Sequence, residues 1–211
     1  MQTPILYDYW RSSASYRVRI ALNLAGIAYE AVVVDLLGRA HKSPEHLARN
    51  PQGLVPALAI DGLMLTQSLA MIEYIIETRG VALLPDEPAD RARVRALAHA
   101  IAMDIHPVCN MGVVAHVLEL AGGDEAMRVA WMQRFIGVGL EAFEALLDHP
   151  NTGQFCHGET PGLADICLIP QVYNAERWGA DISGLGRIQA IRAACDRLPA
   201  FINAHPDRVK A

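Results

Sequence analysis

Strand signals in this chain stop before its midpoint, and that asymmetry constrains the fold more than any single motif. Pro4-Ile5-Leu6-Tyr7 is a short apolar run, and the segment Trp10–Ile20 behind it opens an amphipathic helix in which Val18, Ala21, Leu22 and Ala25 share a face. Val55-Pro56-Ala57-Leu58-Ala59-Ile60 follows the turn-like Asn50-Pro51-Gln52-Gly53, and Asp61-Gly62 separates it from Leu63-Met64-Leu65. Asp-Gly between two apolar runs predicts a hairpin. Gln67-Ser68 then starts a helix carrying Leu69, Ile72, Tyr74, Ile75 and Ile76. The order is strand, helix, strand, helix, hairpin, helix, which is an α/β domain. Gly80 closes its last helix, and Leu83–Pro88, with two prolines, reads as a linker. Beyond it only helical spacing remains, first at Val94, Leu97, Ala98, Ile101 and Ile105, then at Met127, Trp131, Phe135, Val138, Ala142 and Leu146. Further helices are predicted over Gly162–Arg177 and Arg187–Cys195. The expected organisation is an α/β domain over 1–80, a linker over 81–90 and an all-α domain over 91–211.

The loop at Trp10–Ser15 delivers several hydroxyls to the start of the first helix. A helix start has unpaired backbone donors and the positive end of the macrodipole, so it favours an anion. A serine there either caps the helix or stabilises a thiolate, and this segment alone leaves both readings open. The 211 residues, 52% of them hydrophobic, supply core for one large domain or two small ones. A net charge of −5 argues against nucleic acid, whose binders carry a basic footprint. The chain lacks a run of about eighteen apolar residues, so no membrane span is expected. Nor does its start show the basic and apolar regions of a signal peptide. Cys109, Cys156, Cys167 and Cys195 have no close paired spacing, which predicts neither a metal site nor a redox pair and fits the reduced thiols of a cytoplasmic protein.

The segment Ser12–Arg19 resembles the signature of the zeta-class glutathione transferases, the family of maleylacetoacetate and maleylpyruvate isomerases. That signature reads Ser-Ser-Cys-Ser-aromatic-Arg-Val-Arg, with Ala14 here in place of the cysteine. Val55-Pro56 and Gln67-Ser68 are similar to the family's glutathione-binding elements. Ile105-His106-Pro107 with Asn110 resembles a segment of its helical domain, and Pro170-Gln171-Val172 with Asn174-Ala175-Glu176-Arg177 a late helix. The matches run through nearly the whole chain in the same order. The resemblance implies the glutathione transferase fold, in which a thioredoxin-like glutathione-binding domain precedes a helical substrate-binding domain. It also implies glutathione as cofactor, a small dicarboxylate substrate and a homodimer.

Residue roles follow from the same resemblance. Ser12 is the expected activator of the glutathione thiol, with Ser13 or Ser15 as the alternative, because a hydroxyl hydrogen bond and the helix dipole both favour a thiolate. Ser12, Ser13, Ala14, Ser15, Tyr16, Arg17, His41, Val55, Gln67, Ser68, His106 and Asn110 are the implied glutathione contacts. Val55 would offer its backbone beside a cis peptide to Pro56, and Ser68 would take the γ-glutamyl carboxylate. Arg11, His106 and Arg177 are the implied holders of substrate carboxylates. Pro107 is expected to kink a long helix, with Asn110 one turn on along the same face. Asp165, with Gly162 at the cap position, reads as a folding residue, and Thr160-Pro161 is expected to shift that cap.

The implied reaction is cis–trans isomerisation of a maleyl compound to its fumaryl isomer, in the breakdown of aromatic compounds. Two other readings compete: a transferase conjugating or dehalogenating small electrophiles such as α-haloacids, and a non-catalytic binding module. Met111-Gly112 follow Asn110, where relatives specialised for maleylpyruvate can carry arginines. An apolar pocket there favours the longer, less charge-dense maleylacetoacetate.

Overall fold

A computed structural model describes residues 2–210; Met1 and Ala211, the outer ends of the two expected domains, lie outside the described residues. In chain order the elements are β1 (Ile5–Asp8), α1 (Ser13–Leu24), β2 (Glu30–Val33), α2 (Pro44–Arg49), β3 (Ala57–Ile60), β4 (Leu63–Thr66), α3 (Ser68–Arg79), α4 (Pro88–His99), α5 (His106–Val108), α6 (Met111–Ala121), α7 (Glu125–Leu146), α8 (Leu163–Trp178), α9 (Gly186–Cys195), α10 (Pro199–Ala204) and α11 (Pro206–Val209). A 3-10 turn at Ala40–Lys42 precedes α2, and a π-helical turn at Ala100–Ile105 continues α4.

Two compact units result, one built from the residues up to Ala82 together with those from Arg197 on, the other from Leu83–Asp196. The helical unit thus ends short of the expected 91–211. The segment from Arg197 returns to α1, where Arg19 Nε donates to the Ala204 carbonyl at 3.0 Å and Asn23 Nδ2 to the Ala200 carbonyl at 2.9 Å. Phe201 and Ala204 are buried there. The linker is also shorter than 81–90. Leu83 is buried, its carbonyl accepts the Leu163 N–H at 2.9 Å, and Pro88 already belongs to α4.

In the first unit a four-stranded sheet runs in the order β2-β1-β3-β4. β1 pairs parallel with β2 and antiparallel with β3, and β3 pairs antiparallel with β4. The connection from β3 to β4 is the predicted hairpin, with positive φ at both Asp61 and Gly62 as a type I′ turn requires. Leu6, Leu58 and Ile60 of the sheet pack with Val18 and Leu22 of α1 and Met71 and Ile75 of α3. Gly80, in left-handed conformation, ends α3 where the sequence placed the stop.

In the second unit Val94, Leu97, Ala98, Ile101 and Ile105 are buried, as their spacing predicts. The face of α7 differs from the expectation. Met132, Ile136, Leu140 and Phe143 are its buried side, while Val138 is 57% exposed and Met127 and Leu146 are exposed too. Apolar residues line two faces of this helix, so periodicity alone could not choose between them. Gly139 decides the close side, because a Cβ there would stand 2.4 Å from the Ile105 side chain. The α8 cap stays at Gly162 and is not moved by Thr160-Pro161. The buried Asp165 carboxylate accepts the N–H groups of Cys156 and Gly162, each at 2.8 Å. Burial still pushes its carboxyl above the usual range, against the pull of those donors.

The helix does not merely kink at Pro107: it runs through that residue and stops after Val108. The π-helical turn closes with His106 N–H on the Ile101 carbonyl, five residues back, and the chain leaves the helix at Cys109 and Asn110. Pro88–Ala121 is long and apolar enough by length and composition to cross a membrane, with a window of mean hydropathy 1.3, a test that core helices also pass. This break interrupts it, and its residues Val94, Leu97, Ile101 and Ile105 are core.

Candidate active site

Strand register positions the site. Tyr7, Ala57 and Thr66 sit in one row across β1, β3 and β4. Three connections therefore leave from the same end of the sheet: the loop from β1 into α1, the Asn50–Pro56 approach to β3, and the Gln67-Ser68 step from β4 into α3. Two of them open helices of 12 residues each, and neither α1 nor α3 has an acidic residue in its first turn. The positive helix ends there are not neutralised from within.

At the first connection, Ser12 N–H donates to the Tyr9 carbonyl at 2.9 Å and tightens the loop. Ser12 is the N-cap of α1, its Oγ accepting the Ser15 N–H at 3.2 Å. Capping occupies an acceptor lone pair and leaves the hydroxyl hydrogen available, so the two roles open in the sequence are compatible. Arg11 to Ala14 are half-buried, whereas Ser15, Tyr16 and Arg17, expected as direct contacts, are buried. The Trp10 ring carries two cations, Arg11 with its Cζ 5.0 Å from the centroid and Lys210 with its Nζ at 4.9 Å.

At the second connection the Val55–Pro56 peptide is cis, as expected. Val55 lies ahead of β3, outside the ladder with β4. The loop before it is braced by two buried residues that the sequence reading did not single out. Asn50 Nδ2 and the His46 ring both reach the Leu54 carbonyl, each at 2.9 Å. Gly53, at φ +60°, lets the His41 strand of chain come close, since a Cβ would meet the His41 carbonyl at 3.0 Å. His41 itself has a buried Nδ1 without a partner among the described residues, and burial holds it below the usual histidine range.

At the third connection Gln67 has φ +67°, an unusual backbone for a residue with a Cβ and the kind of outlier found at binding sites. Its Nε2 donates to Gln52 Oε1 at 2.8 Å, linking the second and third connections. Ser68, the first residue of α3, is 7% exposed and its Oγ accepts from Arg17 Nη1 at 3.4 Å. A buried guanidinium thus stands behind a hydroxyl at a helix start. An anionic tripeptide such as glutathione fits this set, which offers two positive helix ends, a cation behind one of them, and an edge of backbone between.

The remaining candidates belong to the second unit. His106 is half-buried at the head of α5. Asn110 does not continue its helix: it is the N-cap of α6, and its Oδ1 accepts the Gly112 N–H at 2.9 Å. Arg177 is exposed near the end of α8, its Cζ 4.7 Å from the Trp178 ring centroid.

Known proteins resemble this chain over nearly its whole length. Residues 2–77 match the model of the glutathione S-transferase N-terminal domain. The chain is 66% identical over 207 residues to a maleylacetoacetate isomerase of Rhizobium meliloti (strain 1021), covering 98% of this chain and 97% of that one. Among solved structures, the holo form of a bacterial zeta-class maleylpyruvate isomerase superposes with a TM-score of 0.95 at 42% identity, covering 98% of each chain. A maleylacetoacetate isomerase of Methylobacterium extorquens AM1 with bound malonate and GSH gives 0.93, also at 42% identity and covering 97% of each. Similarity of this extent, carried through both units, makes the chain a member of the zeta-class glutathione transferase family of maleylacetoacetate and maleylpyruvate isomerases.

Proposed function

We propose that the protein is a glutathione-dependent cis–trans isomerase that converts a maleyl dicarboxylate to its fumaryl isomer. The observation that carries the reading is the convergence of Ser12, Val55 and Ser68 at one end of the sheet, with two un-neutralised helix starts among them. When bound, glutathione would supply the nucleophilic thiolate that makes the maleyl double bond able to rotate, and it would be recovered unchanged.

The chain's own residues do the rest. Ser12 donates its hydroxyl hydrogen to the sulfur while its Oγ caps α1, and together with the α1 dipole it favours the ionised thiol. Ser13 and Ala14 add first-turn N–H groups. Val55 offers backbone N–H and C=O to the cysteinyl part, and Ser68, polarised by Arg17, holds the γ-glutamyl carboxylate with Gln67 beside it. Ser15, Tyr16 and His41 support these groups from behind. Arg11, held by Trp10, and Arg177 and His106 of the helical unit serve the substrate carboxylates and the charge that develops on the conjugated carbonyl. Asn110, the N-cap of α6, is a further candidate contact for glutathione. The cysteine of the family signature is dispensable in this scheme, since the reacting sulfur belongs to glutathione.

The preferred substrate is maleylacetoacetate. The apolar Met111-Gly112 and the 66% identity to a maleylacetoacetate isomerase support this. A cytoplasmic homodimer fits the four buried cysteines, which form no disulfide among the described residues, and the exposed apolar residues of the edge strand β4, Leu63 and Met64. The test is loss of maleylacetoacetate and maleylpyruvate absorbance with glutathione well below substrate. Many turnovers per glutathione establish the isomerase; stoichiometric consumption of glutathione means a conjugating or dehalogenating transferase, and no turnover means a binding module.

A further inference from the structure

Arg19 is fully buried, and its donors reach three separate pieces of chain. Nη1 donates to both carboxylate oxygens of Asp8 at the end of β1, at 2.9 and 2.8 Å. Nη2 donates to the Trp10 carbonyl at 2.9 Å, and Nε to the Ala204 carbonyl at the end of α10, at 3.0 Å. The guanidinium also lies 5.3 Å from the Tyr16 ring centroid. Asp8 is itself only 5% exposed.

A buried ion pair is a poor source of net stability, because taking two charges out of water consumes most of their attraction. What a planar, fixed fork provides is geometry. Here that geometry bears on the loop that delivers Ser12. The Trp10 carbonyl lies two residues before Ser12, inside the turn closed by Ser12 N–H on the Tyr9 carbonyl. Fixing that carbonyl fixes the Trp10–Arg11 peptide plane inside this turn and so restrains the path of the loop that carries Ser12. The third arm ends on a terminal carbonyl of α10, an acceptor that the helix leaves unfilled.

We infer that Arg19 is a positioning residue for the Ser12 loop, and that through Ala204 it makes the C-terminal segment part of the apparatus that holds the reacting sulfur. This inference rests on the isomerase reading and on Ser12 as the thiol partner. A lysine at position 19 keeps the charge but reaches only one of the three pieces. The double substitution Asp8→Leu with Arg19→Met removes the fork and both charges together, a change that buried pairs commonly tolerate.

The experiment uses the full chain carrying Arg19→Lys and, separately, the Asp8→Leu/Arg19→Met pair. Glutathione affinity is measured by calorimetry and isomerase kcat at saturating glutathione. In a folded variant, affinity stays within about threefold of wild type, because Val55, Gln67 and Ser68 are untouched. In the same variant kcat falls by at least about tenfold, since displacements near 1 Å at a reacting group carry costs up to about a hundredfold. A merely structural arginine would leave kcat of the folded variant unchanged, and that result overturns the inference. If neither variant folds, native-state hydrogen exchange of the wild type decides. The Ser12 amide and the α10 amides of Phe201 and Ile202 open with one common free energy if the fork couples them. An opening that releases α10 while Ser12 stays protected overturns it. Wild type without glutathione-dependent turnover refutes the functional reading and this inference with it, whereas active wild type beside an unimpaired Arg19 variant refutes this inference alone.

Discussion

Ser12 is assigned two roles, and a pair of substitutions separates them. Its Oγ accepts the Ser15 N–H at 3.2 Å and closes the first turn of α1, while in the proposed mechanism its hydroxyl hydrogen serves the glutathione sulfur. Ser12→Ala removes both. Loss of an N-cap hydroxyl costs about 0.5–2 kcal/mol. The bond here is longer than the usual ~2.9–3.0 Å, which places it near the middle or below, at about 1 kcal/mol. For a chain of this size that lowers Tm by about 2–4 °C. Removing a preorganised donor to a reacting anion costs far more, about 10²–10³ in kcat, or roughly 2.7–4 kcal/mol. Ser12→Gly lacks the hydroxyl too, yet glycine at a cap is only a few tenths of a kcal/mol worse than serine. The expected pattern is therefore a loss of about a hundredfold in kcat for both variants, with Tm lowered in Ser12→Ala and nearly unmoved in Ser12→Gly. Scanning calorimetry on the free protein gives one axis, and initial rates at saturating glutathione give the other. If Ser12→Gly keeps kcat within about a factor of two of wild type, Ser12 is a cap and nothing more, and the assignment fails.

Ser68→Ala should weaken glutathione by about 1–3 kcal/mol with the fold intact, because a charge-assisted bond at a helix start is lost; unchanged affinity in calorimetry would exclude a carboxylate contact there. The ratio of kcat/KM at saturating glutathione should favour maleylacetoacetate over maleylpyruvate, and a preference of about tenfold or more for maleylpyruvate would show that Arg11, His106 and Arg177 suffice for the shorter diacid. All four cysteines are buried, and burial pushes the Cys109 thiol up to about 11 and the Cys156 and Cys195 thiols above their usual range. A thiol reagent at pH near 8 should therefore label the native protein slowly and the denatured protein at every cysteine; rapid labelling of the native form would contradict the packing.

What the sequence made legible is local. The Asp61-Gly62 hairpin, the Gly80 stop and the start of α1 at a serine each depend on backbone chemistry confined to a few residues, and each stands where it was expected. Asn110 and Pro107 show the limit of that logic: a proline that removes an N–H can bend a helix or end it, and the outcome here was settled by the π-helical turn before it and the Asn110 cap after it. The buried side of α7 lay further out of reach. Met127-Trp131-Phe135-Val138 and Met132-Ile136-Leu140-Phe143 are both well-spaced apolar rows, and it is the tertiary packing of α7, including the close approach of Gly139 to Ile105, that separates them.

The C-terminal segment makes the same point for the site. Arg19 sits in the signature beside Ser12, and its sequence position says nothing of where its donors go. Two of its acceptors, Asp8 and the Trp10 carbonyl, are sequence neighbours, and a local reading could have paired them. The third, the Ala204 carbonyl, lies 185 residues away, so it becomes visible only once α10 has folded back onto α1. Helical periodicity over 91–211 is indifferent to that return, because a helix packed on the sheet unit and one packed in the helical unit bury the same kind of stripe. The expected domain boundary and the overlooked arm of Arg19 are therefore one omission with one physical cause. Both depend on a long-range packing choice that is encoded in the acceptor a buried guanidinium finds and not in the pattern of apolar residues.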